Sequence, residues 1–348
     1  MGESSMNKMM TAAIGGLGLA LVATTVSAQA PATLAQVKQR NQVICGSNTG
    51  LAGFGVPDGQ GKWSGLDVDL CRAVSAAIFN DPEKVKFIPL SAKDRFTSLQ
   101  SGEVDLLSRT TTWTMSRDTQ LGIMFAGVNY YDGQGFMVRK KLGVTSALQL
   151  SGASICTQQG TTTELNLADY FRANNLKYEV VAFASSDETI KAYDAGRCDA
   201  FTTDASGLYA ERLKLTAPAD HMVLPEIISK EPLGPSTRNN DTVWFNIVKW
   251  THYAMINAEE LGVTKANVDE MLKSPNPEIK RLLGTEGKFG DGLGLTTDWA
   301  YRIIKHVGNY GESYERNVGA KTPVNIPRDG SLNALWTKGG ILYPMPFR

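Results

Sequence analysis

The sequence predicts an α/β protein of two lobes, each built on a sheet with parallel strands, and three observations support this. The chain has 348 residues, which is more than one hydrophobic core usually serves. Strand-like and helix-like segments alternate, as is typical of βαβ units. The chain also repeats itself, because QVICGSNTG (42–50) and ASICTQQGT (153–161) both place an Ile-Cys strand end before a small polar loop.

A second pair of similar segments follows in the same order. SLQSGEVDLLSRTTT (98–112) and AYDAGRCDAFTTDAS (192–206) both end a helix at a glycine and lead through G-x-x-D into a strand and a polar loop. Gly102 and Gly196 stand where a helix needs a left-handed residue to stop. We therefore expect two related lobes whose strand-end loops face each other across a cleft. The alternative is chance similarity of short helix–glycine–strand patterns.

Three helix starts carry capping signals. Ser64-x-x-Asp67 and Ser185-x-x-Glu188 resemble capping boxes, and Thr161-x-x-Glu164 has the same form. Two further helices are predicted from apolar spacing alone. Their inner faces are Val243, Ile247, Trp250 and Ala254 within 242–257, and Trp299, Ile303, Val307 and Tyr310 near the C-terminus.

Residues 1–28 have the composition of a secretory signal peptide. Lys8 precedes a short apolar stretch, Ala12–Ala23, and Val26-Ser27-Ala28 offers a cleavage site before Gln29. The apolar stretch is too short to span a bilayer. We therefore expect an exported protein without a membrane anchor.

The chain is predicted to pass from lobe one to lobe two and back again, so two segments, the crossings, connect the lobes. We expect lobe one to contain residues 29–135 and 233–348, and lobe two residues 136–232. The stretches 130–140 and 224–236 are rich in residues that permit or fix unusual backbone angles. They are predicted to form a two-strand hinge, the element that absorbs rotation when a cleft closes.

The four cysteines predict two disulfide bonds in an exported chain. Three pairings are possible, and the positions favour Cys45–Cys71 and Cys156–Cys198, each within one half of the chain. A metal site is the poorer interpretation, because the spacings are far from C-x-x-C and the three histidines are scattered. We expect no metal and no cofactor.

The composition excludes several classes of function. Lys plus Arg equals Asp plus Glu at 35 each, so there is no basic bias toward nucleic acid. The motifs G-x-x-x-x-G-K-[ST], G-x-S-x-G and H-E-x-x-H are absent, and no histidine falls in the predicted cleft loops. A binding protein is therefore favoured over an enzyme. An enzyme on the same scaffold, such as a dehydratase acting on a small carboxylic acid, is the alternative.

The candidate binding residues lie in the polar loops after the strands. SRTTTWTMSRD (108–118) supplies hydroxyls and Arg117, whose planar fork suits a carboxylate. QQGTTTE (158–164) opens a helix, whose N-terminus favours a second anionic contact. Asp204 in FTTDAS is placed to pair with a cation. Ordinary ion pairing of Arg117 and capping by Thr161 and Asp204 are the alternatives.

The chain resembles the periplasmic amino-acid-binding proteins of bacterial ABC importers, and most closely their general L-amino-acid-binding subfamily. The resemblance is carried by GSNTGLAGFG, WSGLDVDLCRAVSAAIF, RFTSLQSGEVDLLSRTTTWTMSRD, GQGFMVRK, GTTTELNLADYF and GRCDAFTTDASGL. It covers essentially all of the mature chain, including the long C-terminal extension. It implies a type II periplasmic-binding-protein fold, amino-acid capture by cleft closure, and delivery to an ABC permease and its ATPase. A monomer in the periplasm is expected.

The resemblance also implies roles for particular residues. Arg117 with Thr112, assisted by Thr162, resembles the clamp for an α-carboxylate, and Asp204 resembles the acid that takes the α-ammonium. Thr110 and Arg95 resemble side-chain contacts of glutamate- and aspartate-binding relatives, so a polar or acidic ligand side chain is expected. The expected range of L-amino acids is broad and includes glutamate, glutamine, aspartate and asparagine. Many relatives have an aromatic residue where this chain has Leu51, which leaves Phe54 as the candidate for an apolar wall.

Overall fold

The computed structural model describes residues 32–348. The predicted signal peptide and its cleavage site lie outside the described residues. Within 32–348, none of the helices combines the length and apolar character that crossing a membrane requires.

The described chain alternates strands and helices, as the sequence predicts. The strands are β1 Val43–Ser47, β2 Val56–Pro57, β3 Trp63–Ser64, β4 Val85–Pro89, β5 Leu106–Leu107, β6 Ile123–Phe125, β7 Tyr130–Asp132, β8 Gln134–Arg139, β9 Ala153–Gln158, β10 Tyr178–Phe183, β11 Ala200–Asp204, β12 His221–Val223, β13 Glu231–Leu233 and β14 Ser236–Arg238. The helices are α1 Thr33–Arg40, α2 Leu66–Phe79, α3 Arg95–Ser101, α4 Met115–Gln120, α5 Thr162–Ala173, α6 Ser186–Asp194, α7 Ala205–Arg212, α8 Thr242–Glu260, α9 Val268–Met271, α10 Pro277–Leu283, α11 Trp299–His306 and α12 Tyr310–Asn317.

Two five-stranded sheets define the two lobes. The sheet of lobe one has the order β4-β1-β5-β14-β6, and that of lobe two has the order β10-β9-β11-β8-β12. In each sheet the strand that carries the Ile-Cys pair lies between two parallel partners. Antiparallel strands complete both sheets, β14 in the first and β8 in the second. The predicted α/β fold with two related lobes is confirmed.

The two crossings between the lobes pair with each other. Strands β7 and β13 form an antiparallel ladder in which Asp132 lies opposite Glu231 and Tyr130 opposite Leu233. This ladder is the two-strand hinge that the sequence predicts. The lobe boundaries at 135/136 and 232/233 remain a prediction.

The helix starts agree with the sequence in two cases of three. Ser185 and Glu188 form a capping box at α6, and Thr161 accepts a hydrogen bond from the N–H of Glu164 at α5. The capping role predicted for Ser64 is wrong, because Ser64 lies in β3 and Gly65 occupies the N-cap of α2 without a side-chain bond. The carboxylate of Asp67 is therefore free for contacts outside its helix.

The inner face of α8 agrees with the predicted one except in the first turn of the helix. Val243 is 41% exposed, whereas Trp244 is buried and its indole Nε1 donates to the carbonyl oxygen of Asp105 at 2.8 Å. Ile247 and Ala254 are buried, as predicted. The single helix predicted around Trp299 and Tyr310 is two helices in the structure. The first, α11, ends at His306, and α12 begins at Tyr310 after Gly308, whose φ is 94°.

Both predicted disulfide bonds are present. Cys45 is joined to Cys71 across 26 residues, and Cys156 is joined to Cys198 across 42 residues. Each bond ties the Ile-Cys strand of a sheet to a segment of the same lobe. The favoured pairing among the three possible ones is confirmed.

Removal of the second disulfide should destabilise the fold. We expect a Cys156→Ala/Cys198→Ala double variant to lose about 2–5 kcal/mol of unfolding free energy, because the unfolded chain regains the entropy of a long loop. Urea denaturation measures this, and dithiothreitol should shift the wild-type midpoint more than that of the double variant. An unchanged midpoint in the variant would contradict the expectation.

Candidate functional site

One cavity between the two sheets is lined by residues of both lobes. Six of the predicted site residues line it: Arg95, Thr110 and Thr112 from lobe one, and Thr161, Thr162 and Asp204 from lobe two. Each lies in the loop after a strand, at the end of a strand or at the start of a helix, as expected at the carboxyl edges of parallel strands. The structure thus brings both halves of the predicted site together.

Arg117 does not line this cavity but contacts Thr112, which does. Its guanidinium Nη1 donates to the carbonyl oxygen of Thr112 at 2.9 Å, and the group lies over the ring of Phe96 at 5.2 Å from the ring centre. Arg95 lies over the same ring at 4.8 Å. Phe96 therefore supports two guanidinium groups by cation–π contact, a role that its position in an ordinary amphipathic helix does not reveal.

Phe54 does not line the cavity. It is buried, with its ring edge-to-face with Tyr130 at 5.3 Å, and it belongs to the core of lobe one. The reason is a tight turn in which the N–H groups of Phe54 and Gly55 both bond to the carbonyl of Leu51. This turn directs Phe54 inward, and Leu51 lines the cavity instead.

The loop that carries Thr110 is held in an unusual conformation by Asp67. Thr110 has φ of 36°, a left-handed value that few non-glycine residues adopt. Its N–H donates to Oδ2 of Asp67 at 2.9 Å, while Oδ1 accepts from Ser108 and Asn129 at 2.9 and 3.0 Å. The buried carboxylate of Asp67 therefore fixes the loop that presents the lobe-one hydroxyls to the cavity.

Two residues that line the cavity, Thr112 and Thr162, are candidates to bind an anionic ligand through their backbone N–H groups. Thr162 is the first residue of α5, so its N–H has no partner within the helix. On either side of Thr112 the chain bonds to the second crossing. The N–H of Trp113 donates to the carbonyl oxygen of Pro232 at 2.8 Å, and the N–H of Gly234 donates to that of Thr111 at 3.0 Å. The N–H of Thr112 takes no part in these two bonds. The hydroxyl of Thr161 caps α5, as the alternative interpretation held.

Three buried arginines give lobe one a concentration of positive charge. Arg95, Arg109 and Arg117 are 3%, 6% and 8% exposed. Burial lowers the pKa of Arg109 to about 10 and, with the charges of the other two arginines, lowers the pKa of Arg95 well below its ordinary value. Nε of Arg95 has no hydrogen-bond partner within the described residues. Such a cluster favours an anionic ligand.

Carboxylates lie opposite this cluster. Burial raises the pKa of Asp204 well above its ordinary value, and the negative charges of Asp132 and Glu231 raise it further, against the opposing effect of Arg95. Burial also raises the pKa of Asp132 to about 6. Asp204 occupies the N-cap position of α7 but makes no side-chain capping bond. Its carboxylate is therefore available to a cation in the cavity.

Ligand binding through Asp204 should depend on pH in a defined direction. An ammonium contact requires the ionised carboxylate, so binding lowers a pKa that is raised in the free protein. We expect affinity for L-glutamate to rise as pH increases from about 4 toward 8, with proton release on binding in that range. Calorimetry in buffers of different ionisation enthalpy measures the released protons.

The control for this pH dependence is Asp204→Asn. The variant should show a smaller rise in affinity, because the group that titrates is gone. Equal proton release in the variant and the wild type would assign the effect to other groups.

Sequence reasoning missed Arg109, Asp67, Asp132 and Glu231. Arg109 stands in the quoted loop SRTTT and could have been selected with Arg117. The three acids act through contacts with residues distant in the chain, which the sequence does not display. Among residues 32–348, no cluster of three or more His, Cys, Asp or Glu side chains is arranged to hold a metal ion.

Two α/β lobes, a two-strand hinge and a charged cavity between them define a two-lobed solute-binding protein. The chain belongs to the bacterial extracellular solute-binding proteins, family 3, whose model matches residues 43–265, more than half of the sequence. The structural neighbours confirm the type II periplasmic-binding-protein fold.

Several relatives are similar over nearly their whole length. The General L-amino acid-binding periplasmic protein AapJ of Rhizobium johnstonii is 61% identical over 344 residues, covering 98% of this chain and 99% of that protein. The glutamate/glutamine/aspartate/asparagine-binding protein BztA of Rhodobacter capsulatus is 55% identical, covering 95% and 97%. A periplasmic binding protein of an ABC transporter from Brucella ovis, solved with glutathione bound, is 61% identical with a TM-score of 0.89, covering 91% and 99%.

These relatives are named as binding proteins and not as enzymes. The predicted membership of the amino-acid-binding group and the predicted non-enzymatic role are confirmed.

Proposed function

We propose that this protein captures L-amino acids outside the cytoplasm, including glutamate, glutamine, aspartate and asparagine, and delivers them to an ABC importer. The observation that carries the proposal is the cavity itself, where buried arginines of lobe one face Asp204 of lobe two. An α-amino acid carries a carboxylate and an ammonium on one carbon, and this cavity offers a partner for each. The names of the similar proteins support the same ligand class.

We assign the α-carboxylate to Arg117, with the backbone N–H groups of Thr112 and Thr162 completing its contacts. The α-ammonium is assigned to Asp204. Arg95 and Thr110 are assigned to the ligand side chain, because both line the cavity. A guanidinium can donate to a carboxylate oxygen and to an amide oxygen, so acids and their amides can share one site.

The energetics require several contacts to act together. Hydrogen bonds to charged groups contribute roughly 1.5–3 kcal/mol each, and a micromolar dissociation constant corresponds to about 8 kcal/mol. Three or four such bonds suffice after ordering costs. Because Arg117 and Asp204 belong to different lobes, the ligand makes all of its contacts only when the cleft is closed. Closure is then the state that a transporter can recognise.

We also propose where the protein acts and which partners supply the energy for transport. Residues 1–28 direct export to the periplasm, where the protein acts as a monomer. Energy for transport comes from the ATPase that works with the permease, since the sequence contains no phosphate-binding G-x-x-x-x-G-K-[ST] motif.

Calorimetry of the ligand-stripped protein against all twenty L-amino acids tests the function. We expect micromolar or tighter binding of glutamate, glutamine, aspartate and asparagine. Glutathione belongs in the panel, because its γ-glutamyl group carries the same α-carboxylate and α-ammonium, and the Brucella relative was solved with it. The same mixtures are analysed for new products. Absence of binding to every amino acid, or turnover of any of them, would contradict the proposal.

A further inference from the structure

A buried glutamate of the hinge joins the two lobes behind the cavity wall. Oε2 of Glu231 accepts from the hydroxyl of Thr112 in lobe one at 2.6 Å and from the hydroxyl of Thr162 in lobe two at 2.8 Å. Glu231 is 1% exposed and lies in β13, whereas both threonines line the cavity. Its carboxylate therefore contacts cavity residues without lining the cavity itself.

The second oxygen of this carboxylate is also fully engaged. Oε1 accepts from Asn166 Nδ2 and from the hydroxyl of Ser229, both at 2.6 Å. The hydroxyl oxygen of Ser229 accepts in turn from the N–H of Gln134 at 3.2 Å, which leaves its own proton for Glu231. Four donors hold the carboxylate in one place.

The direction of these bonds limits what the two threonine hydroxyls can do. A hydroxyl has one proton to donate and two lone pairs that accept. When Thr112 and Thr162 give their protons to Glu231, neither can donate to a ligand carboxylate, and both present lone pairs. Their oxygens lie 3.3 Å apart, on the same cavity as Asp204.

We propose that Glu231 is a positioning residue that makes the hydroxyls of Thr112 and Thr162 acceptors for the ligand ammonium. The inference rests on the proposed function and deepens it, because it separates the hydroxyls of these threonines from their N–H groups. Since the two hydroxyls belong to different lobes, the bonds to Glu231 form together only in the closed arrangement. Recognition of the ammonium is thereby linked to closure.

The test compares two ligands that differ at the α-carbon. L-glutamate carries the ammonium, and glutarate has the same two carboxylates without it. In Glu231→Gln, the preference for glutamate over glutarate measured by calorimetry should fall at least about tenfold, because an amide holds the hydroxyl protons less firmly. Affinity for glutarate should change less than about threefold. A purely structural role would weaken both ligands equally.

Controls keep the inference separate from folding and from the proposed function. Glu226→Gln, in the same crossing, should keep the wild-type preference. If Glu231→Gln fails to fold, Thr162→Val tests the same idea, since it removes an acceptor and should weaken glutamate alone. An intact preference in the folded variants, or equal loss of both ligands, would overturn the role of Glu231. Failure of the wild type to bind any amino acid would instead overturn the proposed function.

Discussion

The Arg117→Ala variant is expected to lose at least about 100-fold in affinity for L-glutamate, L-glutamine, L-aspartate and L-asparagine. The guanidinium is buried, and its Nη1 bond to the carbonyl of Thr112 holds it against the cavity wall. Removing one partner of a buried charge pair leaves the other without compensation, at a cost of about 3–5 kcal/mol. Every 1.4 kcal/mol is about tenfold in affinity.

The planar geometry of the Arg117 guanidinium should matter as well as its charge. Arg117→Lys keeps the charge but cannot make two parallel bonds to one carboxylate, so its affinity should lie between the wild type and the alanine variant. Arg172→Ala is the matched control, because Arg172 is an exposed arginine of lobe two whose partner is Asp169. Calorimetry measures the affinities, and thermal unfolding establishes that each variant is folded. Wild-type affinity in Arg117→Ala would remove Arg117 from the site.

The second large effect is expected at Asp204. Asp204→Asn should weaken binding of all α-amino acids at pH 8 by about 2–3 kcal/mol or more, since the ammonium loses its charged partner. Asp169→Asn, on the exposed surface of the same lobe, serves as the control and should bind normally.

The same substitution, Asp204→Asn, should stabilise the ligand-free protein although it weakens ligand binding. Burial and the nearby charges of Asp132 and Glu231 raise the folded-state pKa of Asp204, so the contribution of this group is present at low pH and is lost as pH rises through that pKa. Asp204→Asn should therefore raise the free energy of unfolding relative to the wild type, and more at pH 8 than at pH 5. Denaturant unfolding at the two pH values measures this, and a variant less stable than the wild type at pH 8 would contradict it.

Much of the fold could be predicted because its signals are local. The repeated Ile-Cys strand ends, the glycines that stop helices and the caps at Thr161 and Ser185 each depend on a few neighbouring residues. The cysteine pairing followed from position within each half. Six of the predicted site residues line the cavity, because the strand-end loops of a parallel sheet meet at one edge.

The remainder depends on contacts between distant residues. Asp67 was interpreted as a helix cap, yet it binds the loop at Thr110, 43 residues away. Glu231 meets Thr112 across 119 residues, and no local pattern indicates that contact. Phe54 lies in the core of lobe one, where its ring is edge-to-face with that of Tyr130, a hinge residue 76 positions along the chain. Tertiary packing decided these positions.

A crystal structure of the protein with L-glutamate bound tests the central claim most directly, since it shows whether one zwitterion is shared between the lobes. The predicted result places the α-carboxylate within about 3 Å of the Arg117 guanidinium and the α-ammonium within about 3 Å of the Asp204 carboxylate. A ligand whose α-carbon groups contact one lobe only, or neither of these side chains, would contradict the account.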